Sequence, residues 1–161
     1  MVLEGLDTKL LKSGQNYKIT AWFIVSLACK AFSKNLITSK YNYPTDIKVY
    51  QQVLDKWNTT DNGEVNRIVS ALCDYHLEQA TSGDGKNVSD IQFSLMNEFV
   101  YACEILSWLA LREMRGYKNP ETYSHPLMNL VINRLPKNAV AYQTTDLYER
   151  VVEKVNEDFA R

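Results

Sequence analysis

The two histidines of the chain, His76 and His125, are the first candidates for chemistry, and metal binding is the first chemistry to consider. Cys73 precedes His76 by three positions, a spacing that places a thiolate and an imidazole on one face of a helix. A zinc site needs four ligands, so His125 and Glu104 would have to arrive from elsewhere in the chain. A di-iron bundle needs a glutamate three residues before each ligating histidine, and Cys73 and Thr122 occupy those positions. We therefore expect no metal and no cofactor.

Two glutamates, Glu98 and Glu104, lie among strongly apolar neighbours and are the acids best placed for buried acid–base chemistry. They are six residues apart, so on a helix they lie on different faces. We expect each to pair with a base on a neighbouring helix. No nucleophile signature is present, and the stretch SGDG lacks the spacing and the lysine of a phosphate loop. A small helical enzyme with a central pocket, using Glu98 or Glu104 and a histidine, is the alternative function.

His125 lies in the stretch ETYSHPLMN, residues 121–129, directly before Pro126. The residue before a proline is steered away from helical backbone, and proline suits the first position of a helix. We therefore predict that Ser124 or His125 caps a short turn beginning at Pro126. The functional alternative is that His125, Tyr123 and Arg134 face a partner. Four apolar residues are expected to hold this loop on the core: Leu127, Met128, Leu130 and Val131.

Charge is unevenly distributed along a chain whose formal net charge is -1. From Thr8 to Thr45 there is no acidic residue and there are six lysines, among them Lys30 and Lys34. Such a region is a solvated face, a surface for an acidic protein, or a set of phosphate contacts for nucleic acid. Nucleic acid is the least favoured of the three, because the region has no arginine for bidentate contacts.

Tyrosine is abundant, with ten residues in the chain. Interfaces are enriched in tyrosine because its ring buries a large area while its hydroxyl can still find a partner. Loops of helical bundles also use tyrosine to cover the core. The candidates for binding are Tyr41 and Tyr43 in one predicted loop between helices and Tyr117 and Tyr123 in another.

Apolar residues recur at helical spacing through almost the whole chain, and no alternating pattern of strand type extends over a useful length. The spacing predicts helices at about 18–38, with Trp22, Phe23, Leu27, Ala31 and Phe32 on its apolar face, and at about 46–57, with Thr45 as cap. Three further helix starts are indicated by capping pairs, which are Asp61 with Glu64, Ser89 with Gln92, and Asp146 with Glu149. Gly116 suits the left-handed position at a helix end.

The helix predicted at about residues 90–115 is apolar on most of its circumference, which is typical of the centre of a bundle. We therefore predict an all-α, single-domain bundle of five to six helices around this central helix. The domain spans residues 1–161, with 1–17 as a loosely ordered lead.

The three cysteines are widely spaced and odd in number, which favours reduced thiols and a cytoplasmic location. The stretch ITAWFIVSLACKAF, residues 19–32, is too short to span a membrane and continues at helical spacing. Its SLAC ending leaves an export signal at Ile19 to Cys29 as the alternative, although acidic residues precede it.

These features favour a non-catalytic protein-binding domain. The specific hypothesis is a cytosolic inhibitor or immunity-type protein of bacterial origin that binds a toxin or an enzyme, and homo-oligomers are possible. The alternatives are the helical enzyme described above and a nucleic-acid binder using the lysine-rich N-terminal region.

Overall fold

The computed structural model describes residues 18–36, 43–80, 93, 99–136 and 145–159. Over these residues the protein contains helices and connecting segments but no strand, so the predicted all-α class is confirmed. The α-helices are α1 (Ile19–Ala31), α2 (Tyr50–Lys56), α3 (Asn62–Gln79), α4 (Cys103–Met114) and α5 (Asp146–Phe159). Two 3₁₀ turns lie at Pro126–Asn129 and Val131–Asn133. None of the described helices combines the length and the apolar character needed to cross a membrane.

Helix α1 ends at Ala31, earlier than the predicted end near residue 38. Ser33 adopts a left-handed backbone with φ of 53°. The amides of Ser33 and Lys34 donate to the carbonyls of Lys30 at 3.2 Å and Cys29 at 2.8 Å, which closes the helix in the Schellman manner. The predicted boundary was wrong because a serine occupies the left-handed position, where glycine is the usual signal. The predicted inward position of Phe32 was also wrong, since this side chain is exposed.

Helix α2 begins at Tyr50, later than the predicted start near residue 46. The carboxylate of Asp46 accepts a hydrogen bond from the amide of Lys48 at 2.7 Å, and Lys48 has a positive φ of 57°. A carboxylate bonded to the backbone two residues later forms a turn that competes with helix. The predicted start, with Thr45 as cap, is therefore replaced by this turn.

Helix α3 begins at the predicted position, because the side chain of Asp61 accepts a hydrogen bond from the amide of Gly63 at 2.8 Å. The second half of the predicted capping pair is wrong. The amide of Asp61 donates to the hydroxyl of Thr59 at 3.3 Å, and Glu64 instead pairs with Arg67 and Lys56. These two bases lower the pKa of Glu64 to about 2.

Helix α4 begins at Cys103, so the predicted helix at about 90–115 is wrong in its N-terminal part. Residues 99 and 100 form a turn, Ala102 is non-helical with φ of -80° and ψ of 63°, and Phe93 is buried without helical backbone. The predicted cap pair Ser89 and Gln92 lies outside the described residues. The C-terminal boundary is confirmed: Gly116 has φ of 82°, and the amide of Tyr117 donates to the carbonyl of Arg112 at 2.9 Å.

The last helix, α5, begins where the sequence predicts. The cap is Thr145, whose hydroxyl accepts a hydrogen bond from the amide of Tyr148 at 3.2 Å, so the predicted cap, Asp146, is wrong by one residue.

The core is built where α4 packs against α1 and α3, and α2 against α1 and α3. Ile105, Trp108 and Leu109 of α4 are buried there. At the end of α4 the buried Arg112 donates hydrogen bonds to the carbonyls of Trp57 at 2.9 Å and Thr59 at 2.8 Å. It thereby fastens the connection between α2 and α3 to α4.

Candidate functional site

The groups with the most reactive chemistry form a pair between α3 and α4. His76 Nδ1 lies 2.8 Å from Glu104 Oε1, and His76 Nε2 lies 3.3 Å from the carbonyl oxygen of Phe99. Both ring nitrogens of His76 therefore lie within hydrogen-bonding distance of an oxygen atom. The His76 ring also packs against Phe93, with centroids 4.2 Å apart. The predicted pairing of Glu104 with a base on a neighbouring helix is confirmed, whereas Glu98 lies outside the described residues.

The surroundings of this pair are unsuited to nucleophilic chemistry. Burial, together with the negative charge of Glu104, raises the pKa of the Cys73 thiol to about 12. The same two causes raise the pKa of Tyr50 above its usual range. Both groups are therefore protonated at neutral pH. The side chains of His76 and Glu104 are 0% and 1% exposed, so solvent and substrate do not reach them in this conformation.

The four ligands considered for a metal do not come together. Cys73, His76 and Glu104 share the core, but His125 lies elsewhere, with Nε2 placed 3.3 Å from the carboxylate of Asp74. Among the described residues no group of three or more histidines, cysteines and acids has a geometry that could hold a metal ion.

His125 performs the capping role predicted for it. Its Nδ1 accepts a hydrogen bond from the amide of Leu127 at 3.2 Å, and Pro126 follows as the first residue of the 3₁₀ turn. Nδ1 therefore acts as a hydrogen-bond acceptor, and Nε2 faces the carboxylate of Asp74. Both nitrogens of His125 are engaged within the fold, and the predicted burial of Leu127 and Met128 is confirmed.

The described candidate tyrosines are half-buried and take part in packing. The hydroxyl of Tyr43 is 3.1 Å from that of Ser26. The ring of Tyr117 packs edge-on against Trp57, with centroids 5.5 Å apart. Burial raises the pKa of Tyr123 to about 12. Tyr41 lies outside the described residues.

The three candidate cations are exposed. Lys30 and Lys34 lie at the C-terminal end of α1, and Arg134 follows the second 3₁₀ turn. Arg134 donates a hydrogen bond to the carbonyl of Asn129 at 3.2 Å. A binding role for these cations and for the candidate tyrosines stays a prediction.

A surface that the sequence did not predict lies where α4 begins. Val131 is 81% exposed, and four further apolar side chains are 41% to 52% exposed. The expectation that Leu130 and Val131 hold the loop on the core was therefore wrong. We call this surface the Val131 patch; its members are Val100, Tyr101, Leu130, Val131 and Ile132.

Asn133 joins the two segments that carry the Val131 patch, and it is 2% exposed. Its Oδ1 accepts a hydrogen bond from the amide of Ala102 at 3.0 Å. Its Nδ2 donates to the carbonyls of Val100 at 2.7 Å and Leu127 at 2.9 Å. The side-chain amide of Asn133 thus links the backbone of residues 99–102 to that of residues 126–136 by hydrogen bonds, and these bonds restrain the two segments relative to each other.

The two segments of the Val131 patch, 99–102 and 126–136, contain one cation and no acid, and Glu98 directly precedes the first segment. The cation, Arg134, is in the second segment, and Lys137 follows that segment. The run Leu130-Val131-Ile132 directly before an asparagine is the signal that could have indicated a short exposed turn, since three consecutive apolar residues cannot all face one side of an element.

Comparison with known proteins gives no relative for this chain. No family model, no curated protein and no solved structure matches it.

Proposed function

We propose that this chain is a non-catalytic protein-binding domain that docks its partner on the Val131 patch. The observation that carries the proposal is the exposure of Val131 and its neighbours on a backbone fixed by Asn133. Leaving apolar side chains in water costs free energy, and contiguous exposed patches commonly mark interaction sites.

The fixed backbone favours binding for a second reason. Ordering a loop at the moment of association reduces affinity, and a surface that is already ordered avoids this cost. Asn133 bonds to Val100, Ala102 and Leu127, so residues on both sides of the patch are restrained before any partner arrives. A flexible tail with the same apolar residues would lack this advantage.

The charge near the patch points to the kind of partner. Arg134 lies at its edge and neither segment carries an acid, so an apolar surface with an acidic rim is complementary to it. The finer form of the proposal is a bacterial inhibitor or immunity-type protein that occupies a toxin or an enzyme. Its expected location is the cytoplasm, which suits the buried free thiols of Cys29 and Cys73.

The experiment is a comparative capture from the source cell. The wild-type protein, V131N and M114N are each immobilised, and captured proteins are quantified by mass spectrometry. Met114 is 70% exposed at the end of α4, outside the patch, so M114N makes a matched apolar-to-amide change. A specific partner should be lost with V131N and kept with M114N. A partner retained equally by both variants would refute docking on the patch.

The inhibitor form is tested on the captured protein. If the partner is a toxin or an enzyme, the purified wild-type chain should suppress its activity at equimolar concentration, and V131N should require at least tenfold more protein. A partner bound through the patch but fully active would keep the binding proposal and remove the inhibitor form.

The rival functions predict different measurements. A nucleic-acid binder using the lysine-rich region should bind duplex DNA in a steeply salt-dependent way, and neutralising Lys30 and Lys34 should weaken that binding. We expect no such binding in the micromolar range. An enzyme using His76 and Glu104 would need solvent access to a pair that is fully buried.

A further inference from the structure

The C-terminal helix α5 carries a second exposed apolar surface. Val151 and Val152 are 52% and 38% exposed, and each described side chain at Asp146 and at 148–154 is exposed. In the sequence Leu147, Val151, Val155 and Phe159 fall on one stripe of the helix. A helix of 14 residues is only marginally stable in water without packing, so a surface that covers Val151 and Val152 would stabilise α5.

The charge of α5 is opposite to that of the Val131 patch. Residues 146–159 contain five acidic and two basic residues. The segments of the patch contain no acid, and Arg134 lies at its edge. An apolar stripe with acidic flanks therefore meets an apolar surface with a basic edge, which is the arrangement that favours association of two charged surfaces.

We propose that α5 of one copy docks on the Val131 patch of a second copy, and that the reciprocal contact closes a symmetric dimer. Within one chain Val131 and Val151 are both exposed, so α5 does not cover its own patch. A two-fold axis forms the same helix-on-patch contact twice, which doubles the buried area without a further type of surface.

This dimer rests on the proposed function only in using the same surface, and it adds a form of regulation. A partner protein that binds the Val131 patch must displace α5 of the second copy. Dimer formation therefore competes with partner binding, and the apparent partner affinity falls as the concentration of the chain rises.

The first test is sedimentation equilibrium of the purified full-length chain across a micromolar concentration series. The wild-type protein and M114N should dimerise with the same dissociation constant. V131N and V151N should each raise that constant at least tenfold, equivalent to about 1.4 kcal/mol. Valine and asparagine have similar helix propensities, so V151N changes the surface of α5 and not its intrinsic tendency to be helical. A monomeric wild-type protein overturns the proposal.

A mixing experiment identifies which surfaces meet. A tagged V131N chain keeps α5, and an untagged V151N chain keeps the Val131 patch, so their mixture should form heterodimers through one intact contact. Neither variant should dimerise comparably alone. If V131N alone still dimerises, α5 meets α5; if V151N alone still dimerises, patch meets patch; either result overturns the proposal.

The same variants separate this proposal from the proposed function. Loss of partner capture by V131N but not by V151N, with a monomeric wild-type chain, leaves the docking function intact and removes the dimer. If dimerisation needs both surfaces but V131N still captures every partner, the dimer is kept and docking of a partner on the Val131 patch is removed. Circular dichroism of each variant at matched concentration verifies that the fold is retained.

Discussion

Asn133 should stabilise both the fold and the Val131 patch, and N133A tests this directly. The substitution removes one acceptor and two donors from a side chain that is 2% exposed. A hydrogen bond contributes about 1 kcal/mol net, and a buried group left without a partner costs about 1 to 3 kcal/mol. The Ala102 amide and the Leu127 carbonyl lose buried bonds, whereas the Val100 bond is only partly buried. We therefore expect N133A to lower the free energy of unfolding by about 3 kcal/mol.

N133D separates hydrogen bonding from packing, because aspartate has nearly the same shape as asparagine. One carboxylate oxygen can still accept from the Ala102 amide, but the other would face the carbonyl oxygens of Val100 and Leu127. We expect N133D to be at least as destabilising as N133A. If packing alone mattered, N133D would be close to wild type.

The assay is urea denaturation followed by circular dichroism, with the free energy of unfolding obtained by linear extrapolation. N129A is the matched control, since Asn129 is exposed in the same loop, and it should change stability by less than about 0.5 kcal/mol. A loss below about 0.5 kcal/mol for both N133A and N133D would refute the role assigned to this side chain.

Three further predictions concern the loop and the core. L127A should destabilise the fold by about 2 to 5 kcal/mol through cavity formation, whereas H125N should leave the melting temperature nearly unchanged, because asparagine also caps; equal losses in thermal denaturation would contradict this. H76A should lower the free energy of unfolding by about 3 to 5 kcal/mol, because it leaves Glu104 buried without its partner. Elemental analysis of the wild-type protein should find no stoichiometric zinc or iron. A bound ion that is lost in H76A would contradict the assignment of His76 to packing. Because the pKa of Cys73 is raised to about 12, its thiolate population is very small at pH 8 and grows only as the pH approaches that value, so iodoacetamide should modify Cys73 in the unfolded but not the folded protein at pH 8, as read by peptide mass spectrometry.

The parts of the fold that the sequence predicted are those controlled by local chemistry. A carboxylate at Asp61, a glycine at Gly116 and a histidine before Pro126 each define a helix or turn boundary through atoms only a few residues apart. The pairing of Glu104 was also predictable in kind, because a buried carboxylate requires a partner. Its identity as His76 depends on how α3 packs against α4, which spacing does not show.

The errors have a physical cause in common. At Ser33 and Lys48 the backbone adopts left-handed conformations at residues that rarely do so, and no composition signal marks them. Before α4, apolar residues continue at helical spacing, but α4 begins only at Cys103, and the amide of Ala102 donates a hydrogen bond to the side chain of Asn133. The Val131 patch was not predicted, because hydrophobic spacing indicates that side chains are buried but does not show which of them have a neighbour to pack against.

Hydrogen–deuterium exchange of the chain with and without its captured partner tests the central claim most directly. Docking on the Val131 patch predicts that the partner slows exchange at the amides of residues 99–102 and 130–133, with little change around Lys30 and Lys34 at the end of α1. Protection confined to the lysine-rich region, with unchanged exchange at the patch, would contradict the account.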